Sequence, residues 1–338
     1  MAVTLTVDRA RWRAHVDATV QAFPGLVPVI KGNGYGFGRP YLAELVEAWA
    51  ARPSAAGDAV PELAVGTVHE LADLPAGGPR PLVLTPALAR ELTPGAGPAV
   101  LTVGQPRHVA EIVASRLRPP VMVKLATGMQ RFGAARPPGS PRPDDGEPLA
   151  ELLGAVRQAG LSVHGYAIHP PLAGSSADHA DEIATWAGEL PAGSVVYVSH
   201  LDGTAYRELA TRFPDLRWRI RLGTALWHGD KSFLHLEADV IEVRPVRAGS
   251  RAGYRLREVT ADGRLVIVTA GAAHGVQALP GDVSPFHFER RRLDMLEPPH
   301  MHVSMLFVPD EAPCPSIGDR VDLQRPLITT LVDRIVER

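Results

Sequence analysis

The chain predicts an α/β architecture, an eight-stranded barrel followed by a smaller, mostly β C-terminal domain, and three observations carry that prediction. Short apolar runs recur eight times in the first two-thirds of the sequence, amphipathic segments separate them, and helical patterns stop after about Leu236. The runs cover 26–31, 62–65, 81–85, 99–103, 121–125, 162–168, 194–199 and 218–222. They are nearly continuous in apolar character, as strands buried on both faces must be. Helical periodicity falls at 41–49, 108–117, 149–159, 179–190 and 205–213. Strict alternation of the two kinds predicts a (β/α)8 TIM-type barrel over 9–235, with an open doubly wound sheet as the alternative.

The stretch 135–148, rich in Pro, Gly, Asp and Ser, reads as a loop insertion after the fifth strand. Beyond it the rhythm changes. Segments 240–246, 264–269, 302–308 and 320–323 are strand-like, joined by turns such as Arg247-Ala248-Gly249-Ser250 and Ala261-Asp262-Gly263. A β-rich domain over 236–338 follows, and the alternating N-terminal segment 2–8 is expected to add a strand to it.

Composition narrows the function. The 338 residues carry 35 Lys plus Arg against 37 Asp plus Glu, a formal charge of −2, which provides no field for nucleic acid or an anionic membrane. A small-molecule substrate is expected. The single cysteine, Cys314, excludes an internal disulfide and a paired-cysteine metal site, and suits a reducing cytoplasm. His300 and His302 have no third ligand at a recognised spacing, so no metal is expected. The N-terminus lacks the apolar core of a signal peptide, and no apolar segment is long enough to span a bilayer.

In a parallel barrel the C-terminal strand ends share the rim where chemistry is done. Lys31 ends the first apolar run and opens Gly32-Asn33-Gly34-Tyr35-Gly36-Phe37-Gly38. An amine held at a strand end, desolvated by apolar neighbours and followed by glycines, suits a Schiff-base lysine beside a phosphorylated cofactor. Lys124 and Arg221 lie near the ends of later runs, and Thr127, Arg131, His169, His200, Thr204, Gly223 and Thr224 follow such runs. Cationic and hydrogen-bonding groups predominate there over carboxylates, a rim suited to phosphate and carboxylate ligands.

The segment Val29-Ile30-Lys31-Gly32-Asn33-Gly34-Tyr35-Gly36-Phe37-Gly38 resembles the cofactor-lysine motif of the alanine racemases, and 123–133, Val-Lys-Leu-Ala-Thr-Gly-Met-Gln-Arg-Phe-Gly, resembles their second signature. Ile168-His169, His200 with Gly203-Thr204, and the run 221–227 fall in the order of that family's later motifs. The resemblance implies pyridoxal 5'-phosphate in the barrel, a small amino-acid substrate, and a homodimer whose partner completes each site. It further implies that Lys31 is the Schiff-base lysine and one-face base. Tyr35, Thr204, Gly223 and Thr224 would hold the phosphate, and Arg221 would face the pyridine nitrogen. His169 and His200 would border the cofactor. Lys124, a position carbamylated in many relatives, would orient Arg131 near the substrate carboxylate, and the backbone of Met305 would assist in the partner's site.

Racemisation also needs a proton carrier on the opposite face. The resemblance implies a tyrosine donated by the partner subunit from a Gly-Tyr-Ala-Asp-Gly type turn. The stretch matched to it, Ala270-Gly271-Ala272-Ala273-His274-Gly275, carries Ala272 in the tyrosine's place. Ala126, Gly203 and Leu306 are further departures. His274 is the expected substitute, with Tyr254 as a second candidate, since either side chain can transfer a proton when placed to do so. Three functions follow: an amino-acid racemase or epimerase with an altered second base, a one-base enzyme of the same cofactor (transamination, decarboxylation or elimination), or a non-catalytic cofactor-binding protein.

Overall fold

A computed structural model describes residues 2–51, 62–136 and 148–338. The chain divides into two compact units. One comprises Val16–Gly32 and Arg39–Leu226, the other Met1–His15, Asn33–Gly38 and Trp227–Arg338.

The first unit is the barrel. Strands β2 (Leu26–Pro28), β3 (Glu62–Val65), β4 (Arg80–Val83), β5 (Val100–Val103), β6 (Val121–Lys124), β7 (Val163–Ala167), β8 (Val195–Val198) and β9 (Arg217–Leu222) form one parallel sheet in the order β2-β9-β8-β7-β6-β5-β4-β3. A parallel bridge between Val29 and Ala64 joins its first and last strands and closes the ring. Strands β2, β3, β5 and β6 are buried along their whole length, and the other four at their C-terminal ends.

The crossovers depart from strict alternation. Helices α2 (Arg39–Ala50), α3 (Pro106–Ala114), α4 (Leu149–Gln158), α5 (Ser176–Ala187) and α6 (Gly203–Arg212) follow their strands as the periodicity predicts. After β3 and β4, however, only 3₁₀ turns form, at Val68–Asp73, Ala89–Glu91 and Pro94–Ala96. Pro75, Gly77, Gly78 and Pro79 in the first connection, and Pro86, Pro94, Gly95, Gly97 and Pro98 in the second, stop any longer helix. Of the expected insertion 135–148, residues 137–147 lie outside the described residues; its ends, Ala135 and Pro148, form a parallel bridge.

Helix α1 (Arg9–Ala22) has no counterpart in the sequence reading. Its apolar face is only as wide as Trp12 and Val16, four residues apart and both buried, too narrow to register as an amphipathic stripe. The first turn is fastened by Asp8, whose Oδ1 accepts the Arg11 N–H at 3.1 Å.

The second unit is mostly antiparallel. It holds β1 (Val3–Val7), β10 (Leu234–Val246), β11 (Arg251–Ala252), β12 (Arg257–Glu258), β13 (Gly263–Val268), β14 (Phe286–Phe288), β15 (Arg291–Arg292), β16 (Asp294–Met295), β17 (Ser304–Pro309), β18 (Arg320–Leu323) and β19 (Arg334–Glu337). Strand β1 pairs antiparallel with β10 and parallel with β19, so the N-terminal segment contributes a strand here. The 13 residues of β10 are long enough to pair also with β13 and β18. Val3, Val240, Val266, Phe286, Leu306 and Val321 belong to its core. Among the described residues no helix is long and apolar enough to cross a membrane.

Truncation of a fully buried barrel side chain should cost far more than truncation of an exposed one. Leu63→Ala on β3 (1% exposed) is expected to lower unfolding free energy in urea by about 2–5 kcal/mol, while Leu172→Ala (86% exposed) should change it by less than about 0.5 kcal/mol.

Candidate active site

Lys31 sits at the seam where the barrel closes. Val29 N–H donates to Leu222 O on one side and Ile30 N–H to Ala64 O on the other, each at 2.9 Å, so the two residues before the lysine are locked into both neighbouring strands. The following loop is tied down too. Glu70 accepts the N–H of Gly32 (3.2 Å) and of Gly66 (2.7 Å), and Arg39 donates to Gly32 O while its Nε reaches Asp73 Oδ2 at 2.7 Å. Gly66 packs closely here, where an added Cβ would lie 3.3 Å from the Lys31 Cβ and 3.1 Å from the Glu70 carboxylate. Partial burial, then the charges of Arg131 and Arg221, pull the Lys31 amine below its ordinary pKa, with Glu70 opposing. A larger neutral, nucleophilic fraction at moderate pH results.

Two more cations come from β6 and β9. Lys124, at the end of β6, is buried, with Nζ 3.5 Å from Ala167 O. Burial, reinforced by Arg221 and Arg131, holds it well below the lysine range. Arg221, on β9, is also buried and donates to the backbone carbonyls of Ile168 (2.9 Å), Val198 (3.5 Å) and Tyr197 (3.5 Å). Burial lowers even this guanidinium, to about 10. Arg131 stands exposed in the loop after β6, its guanidinium 4.7 Å from the Phe132 ring. That loop is shaped by Gly133, at φ 149°, where a Cβ would strike the Leu125 and Ala126 backbone. Helix α5 pins it, through Trp186 Nε1 to Ala126 O (2.7 Å) and Glu182 Oε1 to the Gly128 N–H (2.6 Å). Among the described residues no carboxylate lies in ion-pair range of Lys31, Lys124, Arg131 or Arg221.

Two histidines adjoin this cluster. The rings of His169 and His200 are 4.6 Å apart. Nδ1 of His169 is hydrogen-bonded to Ser199 Oγ, and burial together with Arg221 and Lys124 pushes its pKa far down. His200 has a left-handed backbone (φ 61°), and its Nδ1 donates to Pro171 O at 3.2 Å. Burial lowers its pKa also. Both rings are therefore neutral hydrogen-bonding walls at neutral pH. Non-glycine residues at positive φ are uncommon and gather at functional sites.

Thr204 opens α6, where the Asp202 carboxylate caps the helix and accepts the N–H of Thr204 and Ala205, each at 2.9 Å. An anion placed there meets the Thr204 hydroxyl but finds those two N–H groups taken. Gly223 and Thr224 form the turn into the short helix α7 (Thr224–Trp227), directly after Arg221 on β9.

The remaining predicted residues lie in the β unit. Tyr35 is buried at φ 56°, its carbonyl accepting from His228 Nε2 at 2.7 Å, while Asn33 Nδ2 donates to Leu327 O and Thr330 O. Met305, on β17, is half-buried and pairs with Ile267; its carbonyl accepts the Leu296 N–H at 2.9 Å. His274 is buried with both ring nitrogens engaged. Nδ1 accepts the Gly271 N–H at 3.2 Å, which leaves Nε2 to carry the proton facing Asp333 Oδ2 at 3.3 Å. Tyr254 is 85% exposed, its ring centroid 4.2 Å from that of His300.

The sequence of residues 7–230 matches the family profile described as alanine racemase, N-terminal domain. The chain belongs to the alanine racemase family. Solved alanine racemases share its fold across nearly the whole length. The enzyme of Bartonella henselae, with covalently bound pyridoxal phosphate, superposes with a TM-score of 0.66 at 18% identity, covering 97% of this chain and 91% of that one. The Clostridium difficile 630 protein gives 0.68 at 15% identity, covering 100% and 96%. The Bacillus anthracis enzyme, with bound L-Ala-P, gives 0.68 at 19%, covering 95% and 85%. A search of curated proteins returns no match.

Several supporting residues of this alanine racemase family member escape a reading of strand ends alone. Ser199, Glu182, Trp186 and Glu70 act by holding other groups, and their spacing to those groups is set by the barrel. Asp202 alone carried a local signal, as an N-cap residue directly before Gly203-Thr204.

The depressed Lys124 has a measurable consequence. A lysine whose folded pKa lies below its unfolded value binds fewer protons folded than unfolded, so its penalty on folding is full below the folded pKa and fades as pH rises toward about 10.5. Lys124→Met is expected to be more stable than the unmodified protein in urea at pH 6.5, with the gap narrowing steadily up to pH 10. A gap independent of pH would show that the amine is not desolvated.

Proposed function

We propose that the protein is a pyridoxal-phosphate-dependent amino-acid racemase or epimerase of the alanine racemase type, acting as a homodimer. The observation that carries this reading is the cluster of Lys31, Lys124, Arg131 and Arg221 at the barrel rim, without carboxylate partners among the described residues. Cations without counter-ions, two of them buried, favour an anionic ligand, and the lowered Lys31 pKa favours an aldehyde on it. That donor set fits pyridoxal phosphate, which the Bartonella henselae enzyme holds covalently.

When bound, the cofactor supplies an electron sink that acidifies the α-C–H of an amino acid. The protein's part is then as follows. Lys31 Nζ takes or returns the α-proton on one face. Arg221, donor only and buried, would hold the ring nitrogen unprotonated. Arg131 and Lys124 would hold the substrate carboxylate, while Thr204 Oγ1 and the backbone of Gly223 and Thr224 would hold the phosphate. His169 and His200 would border the site as neutral rings.

On the opposite face we favour Tyr254 of the partner subunit over His274. Both His274 nitrogens are engaged within the β unit, whereas the Tyr254 side chain is presented to solvent. A phenol there supplies what the methyl of Ala272 cannot.

Alanine and other amino acids of one hand, incubated with the loaded protein in deuterated buffer, should invert and acquire one deuterium at Cα. Lys31→Ala should reduce both by about 10²–10⁴-fold, and Tyr254→Phe should slow removal from one hand far more than from the other. Exchange with complete retention of hand would replace racemisation by a one-base reaction, and absence of both would remove the racemase reading.

A further inference from the structure

The turn that carries Tyr254 is built around a buried carboxylate. Glu297, only 5% exposed, accepts the Tyr254 N–H on Oε1 at 2.7 Å and the Arg255 N–H on Oε2 at 3.0 Å. The same Oε1 takes a hydrogen bond from His300 Nε2 at 2.5 Å, and the His300 ring packs against the Tyr254 ring. Backbone and ring of one exposed tyrosine are thus both referred to a single buried group.

The local sequence is fitted to this arrangement. Gly253 precedes the tyrosine at φ 80°, and a Cβ there would collide with the Glu297 carboxylate. Burial alone would raise the Glu297 pKa, but the hydrogen bonds from His300, Arg255 and Tyr254 outweigh it and keep the carboxyl below its ordinary range. It is therefore an acceptor for all three donors across neutral pH. Two-residue strands β11 and β12 flank the turn and provide little rigidity of their own. A tyrosine 85% exposed on such a hairpin would otherwise sample many positions, and a misplaced proton carrier loses rate steeply.

We propose that Glu297 is the positioning residue of the opposite-face base: through two backbone N–H groups and His300 it fixes the turn that presents Tyr254. The proposal rests on the reading of Tyr254 given above, and its test separates the two. In cofactor-free protein, amide hydrogen exchange over 253–256 reads the clamp directly. In loaded protein, deuterium incorporation from each hand of substrate reads its effect on chemistry.

Glu297→Ala should speed exchange of the Tyr254 and Arg255 amides by about tenfold or more, leaving β13 and β17 amides unchanged. It should lower proton removal on the Tyr254 face by about tenfold or more, and on the Lys31 face by less than about threefold. Glu297→Gln retains one acceptor oxygen and should fall between, which keeps the test available if the alanine variant folds poorly. Unchanged amide exchange in both variants, or an equal loss on both faces, would overturn the proposal. Tyr254→Phe is the control for the parent reading. If it spares both faces, the assignment of the base fails, while amide exchange still decides whether Glu297 holds the turn.

Discussion

Everything at the barrel rim depends on positive charge that the protein itself does not neutralise. Lys124 and Arg221 are buried, their contacts are backbone carbonyls, and Arg221 and Arg131 depress the proton affinity of both Lys124 and Lys31. Such a cluster costs stability while it stands alone. It is tolerable because the barrel over-determines the positions. The residues just before Lys31 are fixed by hydrogen bonds into two different strands at the closure, Arg221 by carbonyls following β7 and on β8, and the Arg131 loop by two side chains of α5. A phosphate-bearing anion relieves the repulsion, so the stability the fold gives up is recovered as affinity.

The β unit approaches its task differently. Its candidate groups are held by hydrogen-bonding geometry and not by a shared charge problem. His274 is tied on both nitrogens, Tyr35 is kept in a left-handed conformation by His228, and Tyr254 is presented on a turn organised by Glu297. On the proposed racemisation the division would match a two-faced proton transfer: one face would use an amine of lowered pKa, the other a proton carrier held at a defined position by a turn.

Much of this was legible in the chain. The eight strands and the residues just past them follow from continuous apolar runs, because burial on both faces of a parallel sheet leaves that mark in sequence. Helix α1 was not legible, since only Trp12 and Val16 face inward, and the two connections without helices were marked only by their prolines and glycines. The partners that hold the site were legible least. Ser199 against His169, Glu182 against Gly128 and Glu297 against Tyr254 are separated by 30, 54 and 43 residues, and only folding brings each pair together. Whether His274 or Tyr254 stands where the family's tyrosine would was not legible in the chain, because the hydrogen bonds that tie both His274 nitrogens come together only on folding.

The most direct test of the central claim is chemical. Protein incubated with pyridoxal phosphate, reduced with borohydride and digested should yield one pyridoxyl-modified peptide, spanning the end of β2 and carrying the adduct on Lys31, and Lys31→Ala should abolish it. Modification spread over surface lysines, or absent from the Lys31 peptide, would contradict the account.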